Sequence, residues 1–367
     1  MKKHLFAAAI ALCFAAAAHA APCDTTTSKV AATPLLYSAR SGNMQNVRCL
    51  LDAGEAVDAA AKEGRLTGWT ALMFAAEEGH EDIVRLLLEK GANVGAVNRY
   101  GVGVLRLAAG GKGHTGTLKL LIEKGADVNA TDKGGSTALM SAAREGHTDA
   151  ARLLLDKGAK VGAANKDGWT ALLWAANSGA TDTARLLLEK GAQVNAAGKD
   201  GETALMLAAI FGYADTARLL VEKGANVNAA DKPGNTALMN AADATSQGSG
   251  GGKHLDIVRL LLDKGANVNA ANEHGLTALM HADGKDYADI VKLLVEKGAD
   301  VNATTKHGST ALMIAALHGR TDAVRLLIEL GANVNAATPE GTTALMLAQQ
   351  GEHAETVELL KAAGAKE

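Results

Sequence analysis

Aromatic side chains are scarce in this sequence, 3% of 367 residues, although 48% of the residues are hydrophobic. One large central core of that size carries more aromatic bulk, so such a core is not expected. Proline is scarce too, at 4 residues against 41 glycines. An Ala/Leu-rich chain with regularly placed glycine suits many short helices separated by tight turns. Charge of one sign is also missing: the net charge of −3 becomes −5 once Lys2 and Lys3 leave with the first twenty residues. That balance lacks the basic excess of a nucleic-acid binder. Beyond those twenty residues no apolar run is long enough to span a bilayer. There is no Gly-rich phosphate loop, no H-E-x-x-H pair and no G-x-S-x-G elbow. No enzyme activity and no cofactor are therefore expected.

What is present begins with a leader. Met1-Lys2-Lys3 is a short positive region, Leu5 to Ala17 an apolar one, and Ala18-His19-Ala20 an A-x-A cleavage site. Residues 1–20 read as a bacterial signal peptide cleaved after Ala20, with residues 21–29 as an arm and a periplasmic or secreted destination. Neither Leu12 before Cys13 nor Pro22 before Cys23 suits a lipidated cysteine.

The rest of the chain repeats itself. Gly-x-Thr-Ala-Leu recurs with its threonine at Thr70, Thr137, Thr170, Thr203, Thr236, Thr277, Thr310 and Thr343, after an early copy at Thr33-Pro34-Leu35 and with a degraded one at Gly103-Val104-Leu105. Successive spacings are 37, 33, 34, 33, 33, 33, 41, 33 and 33 residues. In the copy from Gly68, Thr70 caps a helix of about two turns. Gly79 ends it, acids Glu81 and Asp82 open a second helix with an Ile83, Val84, Leu86, Leu87, Leu88 stripe, and Gly91 ends that. Two short helices cannot bury their own apolar face, so the copies must stack.

These residues resemble the ankyrin repeat, with the family's G-x-T-P-L-H written here mostly as Gly-x-Thr-Ala-Leu-Met, followed by Ala-Ala, Gly-His, a leucine run, Gly-Ala and Val-Asn-Ala. The resemblance covers about residues 30–364 and implies an all-α solenoid of about ten helix–turn–helix repeats joined by β-hairpin-like loops. The repeats fall near 30–64, 65–98, 99–132, 133–165, 166–198, 199–231, 232–272, 273–305, 306–338 and 339–367. The family shares a scaffold and not an activity, and its partners usually dock on the hairpin tips and first helices.

Polar residues in the first and last repeats read as caps on both ends of the stack, and a monomer is expected. Cys23 and Cys49 either form a disulfide tying the arm to the first repeat, or Cys49 is a small buried hydrophobe in a core leucine slot. Two repeats depart from the pattern: Gly103 lacks the capping threonine and Arg106 follows in a methionine slot, while Asp283 and Asp286 replace an alanine and a glycine after Thr277. The 41-residue copy carries an insertion over residues 245–252.

Histidines His80, His114, His147, His254 and His353 share one slot after the inter-helix turn and are read as structural. His274, His281, His307 and His318 fall on adjacent repeats, where a weak metal site would need convergent nitrogens. Seven of the nine aromatics after the leader lie in tip, first-helix or helix-end slots. The partner-binding candidates are Trp69, Phe74, Tyr100, Trp169, Trp174 and Phe211, with Tyr37 beside them, as binding anchors or as packing. Mixed charges at the tips (Arg99, Lys133, Lys166, Asp167, Lys199, Asp200, Lys232, Glu273, Lys306) favour a protein partner over a polyanion. The expected function is a protein-binding scaffold outside the cytoplasm, with a metal- or small-ligand-binding protein as the alternative.

Overall fold

The computed structural model describes residues 23–24, 33–244, 253–284 and 287–366. The leader, the arm apart from Cys23 and Asp24, the 245–252 insertion and Asp286 lie outside the described residues. Residues 1–127 and 128–367 form two compact bodies. Among the described residues the first holds three helix pairs: Pro34–Ser41 with Met44–Asp52, Ala71–Glu78 with Glu81–Glu89, and Val104–Gly110 with Thr115–Glu123. Among the described residues the second holds seven, running from Ala138–Arg144 with Thr148–Asp156 to Ala344–Gln350 with Ala354–Ala362. The chain is thus the expected all-α repeat. Among the described residues its only strands, Asp243–Ala244 and Asp283–Gly284, form a two-residue parallel pair.

Each repeat starts where a threonine stops being extended. Thr70 sits at φ −101° and ψ 168°, and its hydroxyl accepts the Met73 N–H at 3.4 Å. Thr33, Thr137, Thr170, Thr203, Thr236, Thr310 and Thr343 cap in the same way. The helix ends on glycine for two reasons. Gly42 holds φ 77°, and a Cβ there would lie 2.8 Å from the ring of His80 in the next repeat. That ring is held because its Nε2–H donates to the Arg40 carbonyl at 3.1 Å. His254 does the same to Ile210, and His353 to Leu317. At these three positions the histidine is a clasp between successive repeats.

Packing follows the stripes. Ala71, Leu72, Met73, Phe74, Ala75 and Ala76 are all buried on one first helix, and Ile83, Val84, Leu86 and Leu87 on its partner. Small alanines bring first helices close, while the leucine rows fill the space behind them. Met206, Met239 and Met313 are each 1% exposed beneath the next repeat, whereas Met346 in the last is 45% exposed. On the second helices, Lys90, Lys190 and Lys297 reach back to Asp52, Asp156 and Asp263, and hold those carboxyls below the usual carboxylate range. These pairs are exposed and add little stability.

The hairpin tips are joined by their backbones. In the second body Lys166 N–H donates to Gly134 O, Lys199 N–H to Asp167 O, and Lys232 N–H to Asp200 O, each at 2.8 Å. Gly168 lets two tips approach: it holds φ 77°, and a Cβ would sit 2.9 Å from Lys199 N. Behind the tips runs an asparagine ladder. Asn195 donates through Nδ2 to Gly224 O and accepts Asn226 N–H; Asn269 does so with Gly298 and Asp300, and Asn302 with Gly331 and Asn333.

The irregular copies have visible causes. The 37-residue spacing before Thr70 is taken up by a 3-10 turn at Gly64–Leu66. Gly103 offers the helix after it no side-chain cap. The helix Ala278–His281 has only four residues, and the Thr277 hydroxyl is buried without a hydrogen-bond partner. At the N-terminal side Cys23 and Cys49 are joined as a disulfide, and the Asn46 side chain grips Asp24, accepting its N–H at 2.9 Å and donating to its carbonyl at 2.8 Å.

Capping threonines should differ in worth. Thr203→Ala removes a formed cap and is expected to cost about 1 kcal/mol. Thr277→Ala should cost clearly less, because no cap bond is lost. Equilibrium urea unfolding of the two variants measures the difference; equal losses would show that Thr277 caps its helix in solution.

Candidate protein-binding face

The slots whose residue changes from repeat to repeat are those just before the capping threonine, just after Thr-Ala-Leu-Met, and at the helix end. Every one of the six aromatic candidates lies in or beside them, but the structure treats them differently. In the first body Trp69 and Phe74 stack at 4.9 Å between ring centroids, 8% and 1% exposed. Of the two readings open for Trp69, binding anchor or packing, the structure favours packing. The 3-10 turn bonds its backbone, through Trp69 N–H to Leu66 O, and the ring folds onto Phe74. Phe74 also carries Arg40 at 5.8 Å from its ring centre. Both rings are core. Tyr100, by contrast, is 47% exposed at its tip, with the Arg99 guanidinium over its ring and hydrogen-bonded to its hydroxyl.

In the second body Trp169 and Trp174 form a pair, tilted by 54° with centroids 4.6 Å apart, and both stay half-buried. Two neighbours fix them. Glu202, from the next repeat, accepts the Trp169 indole N–H at 3.1 Å. Arg144, from the repeat before, lies 5.9 Å from the Trp174 ring centre and is paired to Glu145. The Trp169 backbone is held in turn by Asn165, whose side chain accepts its N–H at 2.9 Å. Phe211 is half-buried beside Tyr213, 5.9 Å between centroids, and Tyr213 occupies the histidine slot against Gly179. Restrained, partly exposed indoles lose little entropy when covered, which makes them effective anchors.

The four histidines do not come together as a metal group. His274 and His307 are exposed at their tips, with His274 Nε2 3.4 Å from Glu273, and His318 is exposed at the end of the helix Ala311–Leu317. His281 turns inward, and its Nε2 is buried with no hydrogen-bond partner. Among the described residues no three His, Cys, Asp or Glu side chains converge to hold an ion. His274 and His307 sit on adjacent tips, where Lys306 N–H donates to His274 O at 3.0 Å, whereas His281 turns into the packing and His318 follows the end of its own helix.

Burial lowers the pKa of His281 below its ordinary value of 6.5, with the charge of Asp243 acting weakly the other way. The folded state therefore favours the neutral ring, and the unfolded chain binds more protons as the pH falls. Stability should drop as pH falls below about 6.5. His281→Leu is expected to flatten this loss in urea midpoints measured down from neutral pH; an unchanged pH slope would show that His281 is not its source.

Sequence reasoning missed the tip ladder and the asparagine ladder. Their signal was present, as the glycine of Gly-x-Thr and the asparagine of Val-Asn-Ala, but both read as turn formers rather than as links between repeats. Among the described residues no helix is long and apolar enough to cross a membrane. A sequence profile described as Ankyrin repeats (three copies) matches residues 5–98, 105–198, 195–249, 234–305 and 285–366. No curated protein matches the chain.

Proposed function

Since this chain belongs to the ankyrin-repeat family, a scaffold that presents variable side chains to other proteins, we propose that it is a non-catalytic protein-binding scaffold acting outside the cytoplasm, as an adaptor, inhibitor or protector of a periplasmic protein. The observation that carries the binding role is the Trp169–Trp174 pair: two indoles, held by Glu202 and Arg144 and left half-exposed. Phe211 extends the face and Tyr100 offers a separate exposed ring in the first body. Trp69 and Phe74 belong to the core in this reading. The leader motif and the Cys23–Cys49 bond support export, because disulfides persist in oxidising compartments.

The binding reading is tested by pull-down from periplasmic extract with the purified mature protein. Trp169→Ala with Trp174→Ala should lose partners held by the wild type, since buried tryptophan anchors are worth about 2 kcal/mol or more each. Recovery of the same proteins in the same amounts would remove the indole pair from the interface. The export reading is tested by expressing the full sequence in a Gram-negative host and taking the intact mass of the periplasmic product. The mass should correspond to an N-terminus at Ala21; an uncleaved cytoplasmic product would overturn it.

A further inference from the structure

A stack needs its first repeat covered on the side where no repeat precedes it. We infer that this cover is a redox-controlled lock: the Cys23–Cys49 disulfide holds Asp24 in the place of a preceding repeat, and its reduction loosens the first repeat alone. The lock lies in the first body and does not depend on what binds Trp169 and Trp174. It centres on one slot of the second helix, which in later repeats faces the repeat before. There the Thr183 hydroxyl meets that of Thr148 at 2.8 Å, Thr216 meets Thr181 at 2.7 Å, and Thr356 meets Thr321 at 3.0 Å.

In the first repeat the same slot holds Asn46, and what meets it is Asp24. Asn46 is 8% exposed; it accepts the Asp24 N–H at 2.9 Å and donates through Nδ2 to the Asp24 carbonyl at 2.8 Å and the Ser38 hydroxyl at 2.7 Å. Ser38, itself buried, passes the chain of bonds to the Pro34 carbonyl at 2.8 Å. A buried amide needs partners of this kind, and Asp24 supplies two of the three. One turn further along the helix, Cys49 stands where Leu86, Leu120, Leu186 and Leu219 pack in other repeats. Its sulfur is bonded instead to Cys23, the neighbour of Asp24. The last repeat, by contrast, leaves Met346 45% exposed.

The disulfide is what keeps Asp24 in place. Two backbone hydrogen bonds have a net worth too small to offset the entropy of ordering an untethered segment. The bond between residues 26 apart in sequence removes that freedom in advance. Cys23 and Cys49 are both half-buried, so a small dithiol can reach them. One thiolate of the reductant attacks a sulfur of the pair, the other sulfur leaves as a thiolate, and the reductant's second thiol resolves the mixed disulfide. Two electrons and two protons pass to the chain, which ends with two thiols while the reductant ends as a disulfide. Asp24 then departs, and water reaches Asn46 and Ser38. Helices Pro34–Ser41 and Met44–Asp52 keep only the links to the second repeat, such as the His80 bond to the Arg40 carbonyl. In a nearest-neighbour stack the loosening stays at that link.

Hydrogen exchange of the purified oxidised protein, read by mass spectrometry on peptides covering residues 34–52, tests the lock. Peptide mapping should first find Cys23 and Cys49 in one disulfide-linked pair that dithiothreitol separates. Dithiothreitol, and separately Cys23→Ser with Cys49→Ser, should speed exchange in residues 34–52 by roughly tenfold or more. Residues 171–189 and 204–222 should keep their protection, which also shows that the double variant is folded. That variant should no longer respond to dithiothreitol. With the disulfide intact, Asn46→Ala should speed exchange in residues 34–52 by roughly fivefold, because the bonds to Asp24 are lost. Equal exchange with and without the disulfide, or a rise that spreads equally through residues 171–222, overturns the lock. An unchanged rate in Asn46→Ala overturns it as well, since the disulfide would then act only as a cross-link.

Discussion

The contact between one repeat and the next is the constraint on which everything else in this chain depends. A two-helix unit leaves its apolar stripe, its helix-end carbonyls and its tip backbone unsatisfied, and each need is met by the neighbour. The His80 ring bonds the Arg40 carbonyl, the Lys199 backbone bonds Asp167, and Asn195 bonds Gly224. Each link crosses a repeat boundary. Glycine is fixed at Gly42 and Gly168 by the same requirement, since both positive φ and the approaching neighbour forbid a Cβ. Stability is thus distributed among many modest, similar links rather than gathered in one core.

That division of labour decides where function resides. Positions used for capping, clasping and stripe packing cannot vary without breaking a neighbour's bond. Positions before the capping threonine and after Thr-Ala-Leu-Met carry no one duty common to all repeats, and there the chain places tryptophan, serine, leucine, asparagine and histidine in different repeats. The same slots nevertheless have different fates. Trp69 and Phe74 are buried beside the Gly64–Leu66 turn, whereas Trp169 and Trp174 stay half-exposed under Glu202 and Arg144. Slot alone fixes which way a side chain starts; what lies next to it fixes whether solvent reaches it.

This is also why the fold was legible in the residues and much of the site was not. A period of 33, a capping threonine and two glycines per copy leave little freedom about architecture, and the weak copies at Gly103 and Thr277 could be located from the missing or altered letters. The tip and asparagine ladders were harder to read because each joins residues about one period apart, and either partner alone looks like an ordinary turn residue. The burial of Trp69 depends on four extra residues in the preceding loop, whose 3-10 turn has no distinctive composition. The histidines failed as a group because equivalence along the sequence does not ensure convergence: His274 projects from a tip, while His281 turns into the packing.

The irregular eighth repeat shows what the stack tolerates and where it stores its cost. Thr277 and His281 each bury a polar atom without a partner on a helix of four residues. An unmet buried group costs about 1–3 kcal/mol, comparable to or larger than a formed helix cap contributes. A single-core domain would spread such a defect through its whole structure. Here the flanking repeats keep their own caps at Thr236 and Thr310, so the defect stays local to one link of a nearest-neighbour chain. The indole pair at Trp169 and Trp174 lies three repeats earlier in the same body, with its own links intact. A sequence can therefore let one repeat drift in stability while another is kept for recognition, because the contacts that hold the stack are made one neighbour at a time.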